Sequence, residues 1–186
     1  MTKKIPIQEL TPVFPQKNWI SKKVRKEKLA TLVTHQKRTA YTQTIQILGY
    51  VISQVNPKGK SFEKIHQEIS ELPIKRLGPL MTFDLTCILT EKKPKGLFLH
   101  AGTKIGYKRF CELNGLKFEN KKYISKSELP SGLENCNLLL LEDILCIYKD
   151  DVIEMCRQIE LSKKSKFKEG YRVGDMKCGK NKKSKC

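Results

Sequence analysis

The stretch Leu72–Phe110, LPIKRLGPLMTFDLTCILTEKKPKGLFLHAGTKIGYKRF, carries most of the chain's local specificity. A turn broken by Pro73, Gly78 and Pro79 opens an apolar segment, Leu80–Leu89. That segment reads as a buried helix whose polar members are Asp84, Thr82, Thr86 and Thr90. A basic loop, Lys92–Gly96, precedes Leu97-Phe98-Leu99. This triplet is too short to show a period and reads either as a strand or as the lead-in of the next helix. In the polar turn His100-Ala101-Gly102-Thr103, Thr103 is the expected N-cap of a helix over Lys104–Leu113, with Ile105, Phe110 and Leu113 facing inward. Asn114-Gly115 is the expected stop.

Upstream, Tyr41, Ile45, Leu48, Ile52 and Val55 recur at offsets of three and four, which predicts a core helix over Thr39–Val55. Asn56-Pro57-Lys58-Gly59 ends it. Ser61 then starts a short amphipathic helix with Phe62, Ile65, Ile69 and Leu72 on one face, and Pro73 stops it. Further upstream, Ser21 is placed to cap a helix over Lys22–Lys37, with cations crowding the unfavourable end of the dipole. Residues 1–20 read as an extended arm, broken by Pro6, Pro12 and Pro15, whose apolar members Val13, Phe14, Trp19 and Ile20 dock on the domain.

Downstream, residues 116–124 read as a loop or an edge strand. Leu138–Leu141 leads into one long helix over Glu142–Leu161 with an apolar stripe from Ile144 to Ile159. The carboxylates Glu142, Asp143, Asp150, Asp151 and Glu154 are expected in water. From Ser162 the core pattern ends and a disordered tail is expected. The fold class is therefore mostly α. It is a compact helical domain of five or six helices over 21–161, with or without a short strand pair, between a basic arm (1–20) and a lysine-rich tail (162–186).

The net charge is +18, unevenly distributed. Residues 1–40 carry ten Lys/Arg against two acids, and residues 92–126 and 163–186 do the same, whereas residues 127–162 carry two against eight. Clustered cations suit a polyanion, because each neutralised phosphate releases counterions. Seven cysteines without a CxxC pair fit reduced thiols in a cytoplasmic protein, and the compact ligand pairs of structural zinc sites are missing. The N-terminus has no apolar signal core, and no apolar run approaches the ~18 residues of a membrane span. No cofactor motif, Walker loop or nucleophile elbow appears.

The residues Leu72-Pro73 and Arg76-Leu77-Gly78-Pro79, the apolar helix behind them, and the triplet and turn over Leu97–Lys104 together resemble the helix-hairpin-helix module of DNA-repair glycosylases. The likeness covers about forty residues. It implies a turn at Arg76–Gly78 whose amides grip a nucleic-acid phosphate. The family's catalytic lysine and aspartate are not matched, since Leu80 and His100 stand in their places.

A second candidate place is the start of the helix at His100, Gly102, Thr103 and Lys104, where an imidazole, a hydroxyl, an amide and an ammonium converge. Lys108 and Arg109 extend it along the helix, with Tyr107 beside them for base stacking. The alternative is that His100 and Thr103 only cap the helix. The leading expectation is a non-catalytic nucleic-acid-binding protein, DNA or RNA. Next comes a protein–protein adaptor docking through the acidic helix or the aromatic arm (Phe14, Trp19). Last comes a glycosylase-like or hydrolytic enzyme using Asp84 and His100 as an acid–imidazole pair.

Overall fold

The computed structural model describes residues 4–7 and 41–164. The predicted helix over Lys22–Lys37, the docking of Val13, Phe14, Trp19 and Ile20, and the tail beyond Lys164 lie outside the described residues. The chain is mostly helical, with six α-helices and one two-stranded antiparallel sheet among the described residues. It divides into two compact units, the first ending at Lys95 and the second beginning at Gly96.

The first unit holds α1 (Tyr41–Gln54), α2 (Phe62–Glu71) and α3 (Pro79–Leu89). Ser61 caps α2, its hydroxyl accepting from Lys64 N at 3.2 Å, and Phe62, Ile65 and Ile69 are buried. Leu72 leaves the helix in an extended conformation ahead of Pro73. Pro79 opens α3 at a position whose amide has no helical partner to lose. Almost every side chain of α3 is buried. Its hydroxyls are satisfied internally, Thr82 donating to Gly78 O and Thr86 to Thr82 O. The rings of Phe62 and Phe83 pack 5.6 Å apart. The chain's start belongs here too: Ile5 pairs with Ile74, Lys75 N donates to Ile5 O at 2.8 Å, and Ile7 is buried.

The inward face of α1 is rotated from the expected one. Thr44, Ile47, Leu48, Val51 and Val55 are buried, while Ile45 and Ile52 are only partly covered. The sequence is apolar on both sides of this helix, so its period alone does not select a face.

The second unit holds β1 (Gly96–Phe98), α4 (Ala101–Leu113), β2 (Tyr123–Ser125), a 3-10 turn (Lys126–Glu128), α5 (Leu138–Ile147) and α6 (Val152–Lys164). The triplet is thus resolved as a strand. Gly96 faces Ser125, Leu97 faces Ile124 and Phe98 faces Tyr123. Leu97 and Ile124 point into a core with Leu133, Leu140, Leu141, Ile144, Leu145, Met155 and Ile159. Phe98 and Tyr123 pair on the other face, centroids 4.9 Å apart.

Two readings are corrected here. The helix expected from Lys104 starts at Ala101 with His100 as N-cap. Ile105 and Leu113, expected inward, are 44% and 61% exposed, whereas Thr103, Gly106, Tyr107, Phe110 and Cys111 are buried. The reason is Gly106, where a Cβ would collide with the Leu145 carbonyl. The bare backbone lets α5 approach, and that contact selects the buried face.

The single helix over Glu142–Leu161 is two helices, broken at Tyr148–Asp151. Asp151 restarts the chain as a cap, its carboxylate accepting from Glu154 N at 3.0 Å. Glu142 and Asp143, expected in water, are buried.

Candidate nucleic-acid interface

α4 and α5 run parallel. His100 and Thr103 lie at Glu142, Gly106 lies at Leu145, and Arg109 reaches Lys149 and Asp150. At the start of α4 two of the predicted polar groups, His100 and Thr103, converge, and they converge on an internal anion. His100 Nε2 faces Glu142 Oε1, the Thr103 hydroxyl donates to the same oxygen at 3.1 Å, and that hydroxyl sits 2.8 Å from Nε2. All three side chains are buried. The Glu142 carboxylate thus stands where an external phosphate was expected, and the helix start favours it for the same reason.

This geometry is a clamp. A nucleophilic relay places the acid on one imidazole nitrogen and the hydroxyl on the other. Here Nε2 meets both, and the hydroxyl is 3.4 Å from Nδ1. Asp84, the other residue of the acid–imidazole reading, is buried in α3 of the first unit.

The remaining α4 candidates divide. Gly102 is covered, since a Cβ there would run into Cys146 Sγ. Tyr107 is 5% exposed, its ring against Phe118 and its hydroxyl bonded to Cys111, and burial drives its phenol pKa up. It is therefore not presented for stacking. Arg109 donates to Lys149 O and to Asp150 at 3.1 Å, tying α4 to the turn before α6. Lys108 is exposed with Glu112 3.6 Å away, a weak pair. Lys104 is partly exposed and makes no ion pair among the described residues.

The better-presented cations lie just downstream. α4 ends as Asn114-Gly115 predicts, with Gly115 at φ 64° and Leu116 N donating to Cys111 O at 2.8 Å. The following loop exposes Lys117, Lys121, Lys122 and Lys126. Lys121 is held 2.8 Å from both Glu119 and Glu128, and these hydrogen bonds push its pKa up. Lys117, Lys122 and Lys126 make no ion pair among the described residues. The hydrogen bond from Lys121, then those from the Ser125 hydroxyl and amide, hold Glu128 down at about 2. The sequence marks this loop only by its lysine density; nothing local distinguishes Lys121 from its neighbours.

In the first unit the Arg76–Gly78 turn is open. Arg76 has φ 68°, the only positive φ outside glycine among the described residues. Gly78 is the N-cap of α3 without a side-chain cap, and a Cβ added there would meet nothing within 4 Å. Lys75 and Arg76 are exposed beside it, without ion pairs among the described residues.

The chain matches no protein family, no curated protein and no solved structure. Among the described residues, no helix is long and apolar enough to cross a membrane, and no group of three or more His, Cys, Asp or Glu could hold a metal ion. Cys111, Cys136 and Cys156 are thiols outside any disulfide.

Proposed function

We propose that this chain is a non-catalytic nucleic-acid-binding protein of the cytoplasm. The observation that carries the reading is the loop after α4. Lys117, Lys122 and Lys126 stand exposed there without an ion pair among the described residues, inside a segment of strong positive charge. Phosphates meet these lysines together with Lys104 and Lys108. The Lys75–Gly78 turn grips a further phosphate, in the manner its resemblance to a helix-hairpin-helix implies. Seven cysteines without a CxxC pair fit a reducing compartment. The contacts are to backbone phosphates, so affinity is salt-dependent and weakly sequence-dependent.

The test is fluorescence anisotropy of labelled duplex DNA, single-stranded DNA and structured RNA across a salt series. The triple variant Lys117→Glu, Lys122→Glu, Lys126→Glu should weaken binding at least tenfold and flatten the salt slope, about 0.7–0.9 per lost phosphate contact. Equal affinity and slope in a folded triple variant would overturn the loop assignment.

A protein partner is the second reading, favoured by Ile153, which is 86% exposed at the start of α6. It predicts a salt-insensitive partner lost in Ile153→Glu, with no shift on adding nucleic acid.

A further inference from the structure

An acid inside a cation site ordinarily weakens polyanion binding, because it repels the phosphates the lysines attract. Glu128 is placed differently. Its Oε2 accepts from Ser125 N at 2.9 Å and from the Ser125 hydroxyl at 2.6 Å, and its Oε1 accepts from Lys121 Nζ at 2.8 Å. These bonds form a capping box that closes the 3-10 turn on itself and reaches back to the lysine loop. Two of the cations lie inside the span it closes. Lys126 is the first residue of the turn that Glu128 ends. Lys122 follows the clipped Lys121, and its carbonyl accepts from Leu99 N at 2.8 Å, which anchors its backbone on the β1 side. Tyr123–Ser125, between the two lysines, is held in the strand pair.

We propose that Glu128 is a positioning residue for the nucleic-acid interface: by tying Lys121 and Ser125 together it holds Lys122 and Lys126 in a fixed spacing, so this acid strengthens polyanion binding. The proposal rests on the nucleic-acid reading above and names a residue that charge counting would assign the opposite role. A pre-set spacing lowers the ordering cost of binding, since the backbone carrying both ammonium groups is already fixed. The depressed pKa of Glu128 agrees with three donors converging on its charged form.

Removing the acid separates the two roles by sign. Four proteins are compared by anisotropy with a fluorescein-labelled oligothymidylate and a labelled duplex at fixed salt: the full chain, Glu128→Gln, Ser125→Ala, and Lys122→Glu with Lys126→Glu. Circular dichroism melts confirm that each is folded. Positioning predicts that Glu128→Gln weakens binding about threefold or more although it removes a negative charge. It also predicts that Ser125→Ala, which changes no charge, weakens binding in the same direction. Tighter or unchanged binding in Glu128→Gln, with the double lysine variant weakened, overturns the role of Glu128 and leaves the interface standing. Unchanged binding in the double lysine variant overturns the interface and this proposal with it. Should Glu128→Gln fail to fold, Ser125→Ala decides alone: weakened binding supports positioning, and unchanged binding overturns it.

Discussion

Thr103 and Glu142 meet across the contact between α4 and α5. The threonine hydroxyl donates to Glu142 Oε1 at 3.1 Å, and the same oxygen faces His100 Nε2. One carboxylate therefore neutralises two buried polar groups from the first turn of the neighbouring helix. Removing it takes an acceptor from both. Glu142→Ala should cost about 3 kcal/mol of stability, and Thr103→Val about 1 kcal/mol, by urea denaturation. The triple variant His100→Phe, Thr103→Val, Glu142→Leu should cost less than Glu142→Ala alone, because all three members of the buried cluster are replaced together by apolar groups. A triple variant worse than the single one would mean that the clamp is not a self-contained unit.

Two glycines at helices give opposite expectations. Gly106→Ala drives a Cβ into the Leu145 carbonyl, which is backbone and has no rotamer to escape into. It should lose about 3 kcal/mol. Gly78→Ala enters open space at an N-cap that already lacks a side-chain bond, and should change stability by less than about 1 kcal/mol. Thermal melts of the two variants side by side check the difference.

His66, on α2, is held down at about 4 by burial, against a smaller opposing pull from Glu63. The unfolded chain binds that proton near pH 6.5. Between these values the unfolded state holds more protons, so stability falls as pH drops from 6.5 towards 4 and is fully present above 6.5. The loss should be about 1–2 kcal/mol, less than the full linkage value because the ring keeps part of its solvent contact. Urea midpoints at about pH 7 and about pH 4.5 should converge in His66→Gln. An unaltered pH slope in that variant would assign the loss to other groups.

Arg76 holds a left-handed backbone at φ 68° that glycine adopts without a Cβ penalty. Arg76→Gly should raise stability by up to about 1 kcal/mol while weakening nucleic-acid binding. A melt and an anisotropy titration on one preparation test both halves. A gain in stability without loss of affinity would remove this turn from the interface.

Much of the fold was legible because its signals are local. Ser61 caps α2, Pro79 opens α3, Pro73 and Gly115 close helices, and Leu80–Leu89 is apolar on all sides, so it is buried whatever packs against it. The break between α5 and α6 was missed: Asp151 is cap chemistry, but a continuous apolar stripe from Ile144 to Ile159 concealed it. The candidate site was legible as composition and not as geometry. Lysine density marked residues 92–126, yet Tyr107 was assigned outward and lies inside, His100 and Thr103 were read either as an anion site or as caps, and Glu142 was assigned to water and lies buried against those two.

By itself the sequence determined where α2 and α3 begin, where α2 and α4 end, and that cations cluster, because caps, breakers and charge counts act within a few residues of chain. The tertiary structure decided which face of α1 and α4 turns inward, and which cations remain unpaired. Those outcomes hang on groups far apart in sequence: Glu142 is 42 residues from His100, and the Leu145 carbonyl meets Gly106 only once the two helices lie side by side. A helix with apolar residues on more than one side has no period to choose between faces, so the neighbour that packs most closely chooses for it.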